Sequence, residues 1–399
     1  MPNEERALAT IDSVLNLKAI PGADNIEVAQ VRGWDCVVKK GEFKPGDTCV
    51  YFEIDSVLPD EERYAFLKGS WSKKVKGYRL KARRLRGQVS YGLVLPTSNF
   101  PEIENADKRL GEDVTELLGI RIYDPPVTAS GGTQAKGNFP SHLIPKTDAE
   151  RIQNVNVMQL ASTLKQVYNY DPMDYMTSAS KLDTLELLTD NTKGGPYSPN
   201  PQVPGAIYVA TEKLDGQSFT VYYNDGEVGY CSRNLELKTE DILDPDNTSS
   251  FSLAAKAYSW PQLMKTLSEM NAPGFPKNFA IQGEIVGPGV QGNIYELSAI
   301  DVYVFSIFDI DEQVYVAFDT MLQMCAAADL NIVPMEALLL SPMIVGSILR
   351  DRNIFQKMFE GKGSRLEGYV WRPFWQVPRA AMPTLQFKVI SDEYLLRGK

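Results

Sequence analysis

The sequence is short of the groups on which many enzymes depend. Its single histidine, His142, removes Ser-His-Asp triads, histidine metal clusters and HExxH chemistry together. Four cysteines, Cys36, Cys49, Cys231 and Cys325, lie far apart with no CxxC pair. That excludes a disulfide framework or a cysteine zinc site and makes them buried apolar fillers. No run of 18 apolar residues occurs, the best stretch, 299–310, being interrupted by Asp301 and Asp309, so no membrane span is expected. The opening Met1-Pro2-Asn3-Glu4-Glu5 lacks the basic-then-apolar order of a signal peptide, and an intracellular, cytoplasmic protein is the expectation. A GxxxxGK[ST] loop is also missing, which excludes a P-loop enzyme. Chemistry must therefore run on Lys, Asp, Glu and Arg.

What is present is ordinary in bulk and uneven in detail. The 399 residues, 43% hydrophobic and 23% charged, suit a globular chain of two domains rather than a fibrous or disordered one. The net charge of −10 would repel a nucleic acid if it were evenly spread. However, eight of the fourteen residues over 73–86 are basic and none is acidic, leaving 33 basic against 51 acidic residues elsewhere. One local stripe opposes an acidic background.

Short β-type runs at 7–15, 25–31, 35–38, 47–54, 78–85 and 91–95, punctuated by Gly, Pro and Asp, predict a small β-barrel. Domain bounds of 1–125, a linker over 126–138 and a second domain over 139–399 follow from the Asp124-Pro125-Pro126 and Ser130-Gly131-Gly132 clusters. Thr147 with Glu150 has the spacing of a helix capping box, and 189–204, rich in Gly, Pro and Asn, reads as a surface loop. Beyond 206, strands are predicted at 206–211, 218–223, 228–232, 279–286, 302–308, 368–371 and 384–390, with helices at 250–270 and 317–329. That order is not a regular βαβα alternation. An α+β fold with a mixed or antiparallel sheet is preferred.

Residues 287–292 match GxGxxG, but β-type residues follow where a dinucleotide fold needs a helix, and Pro288 removes a donor. The match reads as accidental. Lys213-Leu214-Asp215-Gly216 is more informative. Its bland reading is a strand end and tight turn with a solvated lysine; its chemical reading is a nucleophilic amine beside an acid. A lysine with the ordinary pKa near 10.4 is unprotonated about once in a thousand at neutral pH, a handicap of roughly 4 kcal/mol. Neighbouring cations are expected to lower it.

Ser232-Arg233-Asn234, Gln282-Gly283-Glu284, Phe308-Asp309, Glu367-Gly368-Tyr369-Val370 and Phe387-Lys388 follow in order, each in or at the end of a predicted strand. Singly, each could be a solvated strand end, a core aromatic or a surface ion pair. With Lys213-Leu214-Asp215-Gly216 at their head they form an ordered set of six that resembles motifs I, Ia, III, IIIa, IV and V of the covalent nucleotidyltransferase superfamily of ATP-dependent ligases and capping enzymes. The resemblance implies a Lys213–AMP phosphoramidate made from ATP, with Glu367 and Asp215 holding Mg²⁺ or Mn²⁺. It further implies that Lys388 neutralises the α-phosphate, Glu284 accepts a ribose hydroxyl and Phe308 stacks on adenine. Arg233 would touch the nucleotide or the reactive end, and Glu212, beside the nucleophile, would join the nucleotide site. Where many relatives have KxK in motif V, this chain has Gln386-Phe387-Lys388.

Residues 21–29, 40–43, 46–47 and 86–90 resemble the N-terminal OB module of the fifth RNA ligase family, and 145–154 resembles the opening of its catalytic domain. Only eleven residues follow Lys388, too few for the C-terminal OB domain of DNA ligases and capping enzymes. The implied architecture is an N-terminal OB-type barrel followed by an antiparallel-sheet nucleotidyltransferase domain. The implied reaction is ATP-dependent sealing of 3′-hydroxyl and 5′-phosphate RNA ends at nicks in a duplex, by a monomer. Arg79, Lys81 and Arg83 alternate along one strand, as a face presented to phosphates would, or as charge protecting an edge would. Rival readings are a DNA ligase, a guanylyltransferase and a non-catalytic OB-type binder.

Overall fold

Period-2 burial over the first fifty residues builds the first sheet of the computed structural model, which describes residues 7–73, 75–123, 133–175, 207–363 and 365–397. Ala9–Ala19 pairs antiparallel with Thr48–Phe52 along its first half; beyond a register shift between Val14 and Asn16 it pairs with Ile26–Val31. Such a bulge bends one strand so that it serves two neighbours. Thr48–Phe52 is buried on both faces. Cys49 and Tyr51 join Trp34 in one core, while Val50 and Phe52 join Tyr64 and Tyr78 in another.

The strand predicted over 78–85 is divided. Gly77–Arg79 lies in a small sheet between Ser56–Leu58 and Trp71–Ser72, whereas Arg83–Leu85 forms a hairpin with Gln88–Ser90. Between the hairpin strands, Arg86 and Gly87 have φ of 50° and 86°, the left-handed pair that a type I′ turn requires. The alternation survives this break: Tyr78, Leu80 and Ala82 are buried, Arg79 and Lys81 half-buried, and Arg83 exposed.

Two sheets organise the residues beyond 133. One runs from the edge strand Ala135–Asn138 through Leu235–Leu237, Glu227–Cys231, Gln217–Asn224, Phe279–Val286 and Asp301–Asp309. The other has the order Glu150–Arg151, Phe387–Ile390, Gly368–Pro373, Ile207–Lys213, Met335–Leu340. All these pairs are antiparallel except Glu150–Arg151 with Phe387–Ile390. The capping box at Thr147 does not form. Glu150 is drawn into a strand instead, and the helix Val157–Tyr168 starts later, where the Asn156 side chain accepts from the Gln159 N–H. The helix predicted over 250–270 is two, Ser250–Ala257 and Trp260–Glu269, the second with Pro261 in its first turn. Pro342 likewise sits in the first turn of Ser341–Arg350 and ends the strand Met335–Leu340; neither element is anticipated, because the apolar run they share has no period to divide it. No helix starts in 287–292. Among the described residues no helix is long and apolar enough to cross a membrane.

The chain divides into two units, Met1–Val127 with Asp392–Lys399, and Thr128–Ser391. The last eight residues, assigned from sequence to the second domain, thus group with the first. Of the expected linker, 135–138 is an edge strand and 124–132 lies outside the described residues, as does the 189–204 loop. In the tail, Leu395 and Leu396 pack against the core that holds Trp34. The Tyr91 hydroxyl donates to Asp392, and Arg84 pairs with Glu393 at 2.9 Å. Ending the chain after Ser391 removes two half-buried leucines and this hydrogen bond. It should cost the first unit about 2–4 kcal/mol, at roughly 1–2 kcal/mol for each half-exposed leucine lost. Amide hydrogen exchange should then quicken over 9–52 and stay unchanged over 279–309; equal protection in both proteins would show the tail to be unneeded.

Candidate active site

Lys213 ends the strand Ile207–Lys213, directly opposite Gly368 of the neighbouring strand. Residues opposite one another in an antiparallel pair share a face, so Lys213, Thr211, Val370 and Lys388 stand on one side of this sheet. Glu367, just before the paired glycine, reaches the lysine: Nζ lies 2.7 Å from Oε1. Gly368 must be glycine, because a Cβ there would stand 2.3 Å from the Val389 carbonyl oxygen.

The chain after Lys213 turns into the other sheet. Asp215 is buried, and its N–H donates to the Tyr295 hydroxyl at 2.8 Å. Gly216 lies against the strand Phe279–Val286, where a Cβ would meet the Ile285 carbonyl oxygen at 2.3 Å and the Glu284 side chain at 2.7 Å. The KLDG tetrapeptide therefore joins the two sheets at Glu284.

Three carboxylates consequently face one ammonium, and their charges set the titration. Burial pushes the Glu284 carboxyl up to about 7; Lys213 opposes this shift, and the negative charges of Glu367 and Asp215 add to it. For Lys213, burial alone would lower the pKa, but Glu367, Glu284 and Asp215 outweigh it and hold the amine above its ordinary value. The sequence argument expects cations beside this lysine; the structure places carboxylates there. Among the described residues no three His, Cys, Asp or Glu side chains converge closely enough to hold a metal ion unaided.

Phe308 does not reach this group. It is fully buried, with its ring edge-on to Tyr315 at 5.1 Å. It pairs with Ala280, four residues along the strand from Glu284, while Gln282 pairs with Ser306 and Gly283 with Val304, leaving Phe305 as the extra residue of a bulge. The bulge shifts the alternation by one residue. Phe305 packs with Tyr303 against Leu214 and Val286, and Tyr303 is opposite Glu284. Phe305 thus joins Tyr295 and Tyr303 as aromatic side chains beside the site, and a single misplaced period hides it from sequence reading.

Arg372 was also missed. It accompanies Val370 on the site face, donates through Nη1 to the Phe305 carbonyl at 3.0 Å, and lies 5.2 Å from the Phe305 ring centre. Burial lowers its pKa to about 10. Its Nε donates to Gln386 Oε1 at 3.3 Å, while Gln386 Nε2 donates to the Asp148 carbonyl. The residue replacing the first lysine of motif V is thus a buried bracket between segments. The signal available was the period-2 step from Val370 to Arg372.

Two further expected residues stand apart. Glu212 faces the opposite side of its strand from Lys213, paired with Tyr369; burial and the nearby Glu336 raise its pKa, with Lys362 opposing. Arg233 is exposed and forms a surface ion pair with Asp148 at 2.9 Å. In the first unit, Arg79 lies 3.7 Å from Asp55 and stacks over Tyr123 with its guanidinium carbon 3.4 Å from the ring centre. Burial, then Arg79 and Arg83, lower the pKa of Lys81, with Asp55 opposing.

An OB-fold domain model matches residues 8–97, and an RNA ligase model matches 206–390. Among solved structures, a substituted form of the Naegleria gruberi RNA ligase with ATP and Mn is 31% identical, with 98% of each chain covered and a TM-score of 0.73. The same ligase with PPi is 32% identical over 98% of each chain, with a TM-score of 0.72. A substituted form with AMP and Mn is 30% identical over the same shares, at 0.73. No curated protein matches. The OB-fold unit, the two-sheet unit that carries Lys213, and identity sustained over nearly the whole length place this chain in the RNA ligase family.

Proposed function

We propose that the protein is an ATP-dependent ligase joining 3′-hydroxyl and 5′-phosphate RNA ends, at nicks in a duplex, through a covalent Lys213–AMP intermediate. The observation that carries this reading is the approach of Lys213 Nζ to Glu367, 2.7 Å away, with the charges of Glu284 and Asp215 also acting on the amine. The Naegleria gruberi ligase with ATP and Mn, with AMP and Mn, and with PPi corresponds to the reactant and the two product fragments of such a step.

In the first step the neutral Lys213 amine attacks the α-phosphorus. A P–N bond forms, the nitrogen gives a proton to solvent, the bond to the bridging oxygen breaks, and pyrophosphate leaves. A phosphoramidate is stable while its nitrogen is unprotonated and loses an amine readily once protonated, so lysine suits a reversible carrier. A 5′-phosphate oxygen then takes AMP, the P–N bond breaks and Lys213 regains a proton. Finally the 3′-hydroxyl displaces AMP and gives its proton to solvent. Lys388, on the same sheet face, would balance charge building on the transferred phosphate.

Glu367 and Asp215 fit a Mg²⁺ or Mn²⁺ ion, which takes oxygen ligands and commonly only one or two carboxylates, the rest being substrate phosphate and water. Such an ion would offset charge on the phosphates and on the carboxylates that keep Lys213 protonated. Glu284 would accept from a ribose hydroxyl. Phe305, braced by Arg372, takes the base-stacking role that Phe308 cannot fill. Glu212 would contribute through its strand position rather than its carboxylate, and Arg233 would meet the nucleic-acid end at the rim. Arg79, Lys81 and Arg83 would contact phosphates from the first unit.

Incubation with α-labelled ATP and a divalent metal, followed by denaturing electrophoresis, should show a labelled protein whose label is lost in acid. Lys213→Ala should be folded and unlabelled; labelling equal to the parent would overturn the nucleophile.

Glu367→Ala and Lys388→Ala should each slow AMP transfer by about a hundredfold or more, the scale for one preorganised electrostatic contact. Transfer at full rate in a chelator would remove the metal.

Glu284 supplies a pH test on the protein without nucleotide. Its folded pKa, about 7, exceeds the unfolded 4.5, so the folded state binds more protons and loses stability as pH rises through that window. Thermal melts of the parent and of Glu284→Gln should diverge between about pH 4.5 and 7, with the variant gaining, and run parallel above; parallel curves throughout would mean that Glu284 titrates normally.

A further inference from the structure

The first unit displays an aromatic side chain that neither its core nor the nucleotide site uses. Of five tryptophans, Trp34, Trp260 and Trp371 are buried, whereas Trp71 is 40% exposed. Water contact on so large an apolar group is informative where the side chain is also held in place. Trp71 is held. Its backbone N–H donates to the Lys68 carbonyl, its backbone is opposite Tyr78, and its ring meets the Tyr78 ring edge-on at 5.2 Å. Tyr78 is itself buried and hydrogen-bonded to Asp60. The indole is therefore held by Tyr78 while part of it stays in water, so a partner stacking on it has little ordering entropy to overcome.

A second observation gives the chemistry of that partner. The exposed Arg83 donates from Nη2 to Ser70 Oγ at 2.7 Å, and Ser70 immediately precedes Trp71. An exposed guanidinium is thus anchored at the residue next to the exposed indole. Lys73 and Lys76 are exposed as well, within a stretch that has eight basic and no acidic residues in fourteen. A planar apolar face beside fixed positive charge matches a nucleotide, whose base is planar and whose phosphate is anionic. A base inside a duplex offers only its edges; its face is available once it leaves the stack.

We propose that Trp71 and Arg83 form a stacking site for an unpaired nucleotide of the RNA substrate, the indole taking the base and the guanidinium an adjoining phosphate. This rests on the RNA-ligase reading and adds to it a preference for substrates with a single-stranded segment near the ends to be joined. The general attraction of the basic stripe needs no unpaired base; this site does.

The test uses the full chain and two fluorescent probes, a short poly(A) RNA and a blunt RNA duplex of the same length, at fixed salt. Trp71→Ala and Trp71→Leu should each weaken poly(A) binding by about 5- to 150-fold, the range for loss of one base–aromatic stack, and change duplex binding less than about twofold. Trp71→Phe should recover most of the loss, because it restores a π-face. Poly(A) should also quench tryptophan emission in the parent and not in Trp71→Phe. Parental poly(A) binding by Trp71→Leu would show that the ring only packs on Tyr78 and would overturn the site; so would equal losses on both probes. Covalent labelling of the unsubstituted protein by α-labelled ATP, which needs no RNA, decides the ligase reading separately.

Discussion

The contact between Lys213 and Glu367 depends on two places where the backbone leaves no room for a side chain. Gly368 lets the strand that follows Glu367 press on Phe387–Ile390, and Gly216 lets the turn after Lys213 press on Phe279–Val286. One lysine is thereby fixed where two sheets meet, with a carboxylate from each sheet and a third from its own turn. Burying such a group is costly unless its charges are paired, and here one positive charge meets Glu367, Asp215 and Glu284, the last of which titrates at about 7. The residual negative potential is the feature the rest of the site must accommodate.

That imbalance gives the proposed chemistry an order. A lysine facing three carboxylates keeps its proton, so the amine that could attack a phosphate is dormant in the free protein. A polyphosphate alone would add like charge. In the proposed reaction a nucleotide arriving with a compensating cation would remove the reason for the amine to stay protonated while supplying the phosphorus to attack. The raised pKa of Lys213 thus represents the resting state rather than an obstacle to the reaction.

How much of this was legible in sequence varied with the range of the forces involved. Lys213, Asp215, Glu284 and Glu367 could be found because each sits in a short segment whose glycine is demanded by close packing, and those segments recur in a fixed order. Phe305 could not, since its place depends on a bulge that only the pairing of 279–286 with 301–309 creates. Thr147 and Glu150 have the spacing of a helix cap, yet strand pairing with Phe387–Ile390 claimed Glu150. Residues 335–350 are apolar on every face, so strand and helix could be separated only by noticing Pro342. The tail was assigned by its nearness in sequence to Lys388, whereas Tyr91 and the core around Trp34 are hundreds of residues away and leave no local trace.

The tail also returns the chain from the second unit to the first. Outside the basic stripe the chain has 33 basic and 51 acidic residues, so most of its surface repels a phosphate backbone, and attraction concentrates on the unit that lacks the lysine. The chain passes between the units twice, after Val127 and again after Ser391. Because the second crossing follows Phe387–Ile390 directly, the strand that carries Lys388 is continuous with the segment anchored by Tyr91, Leu395 and Leu396.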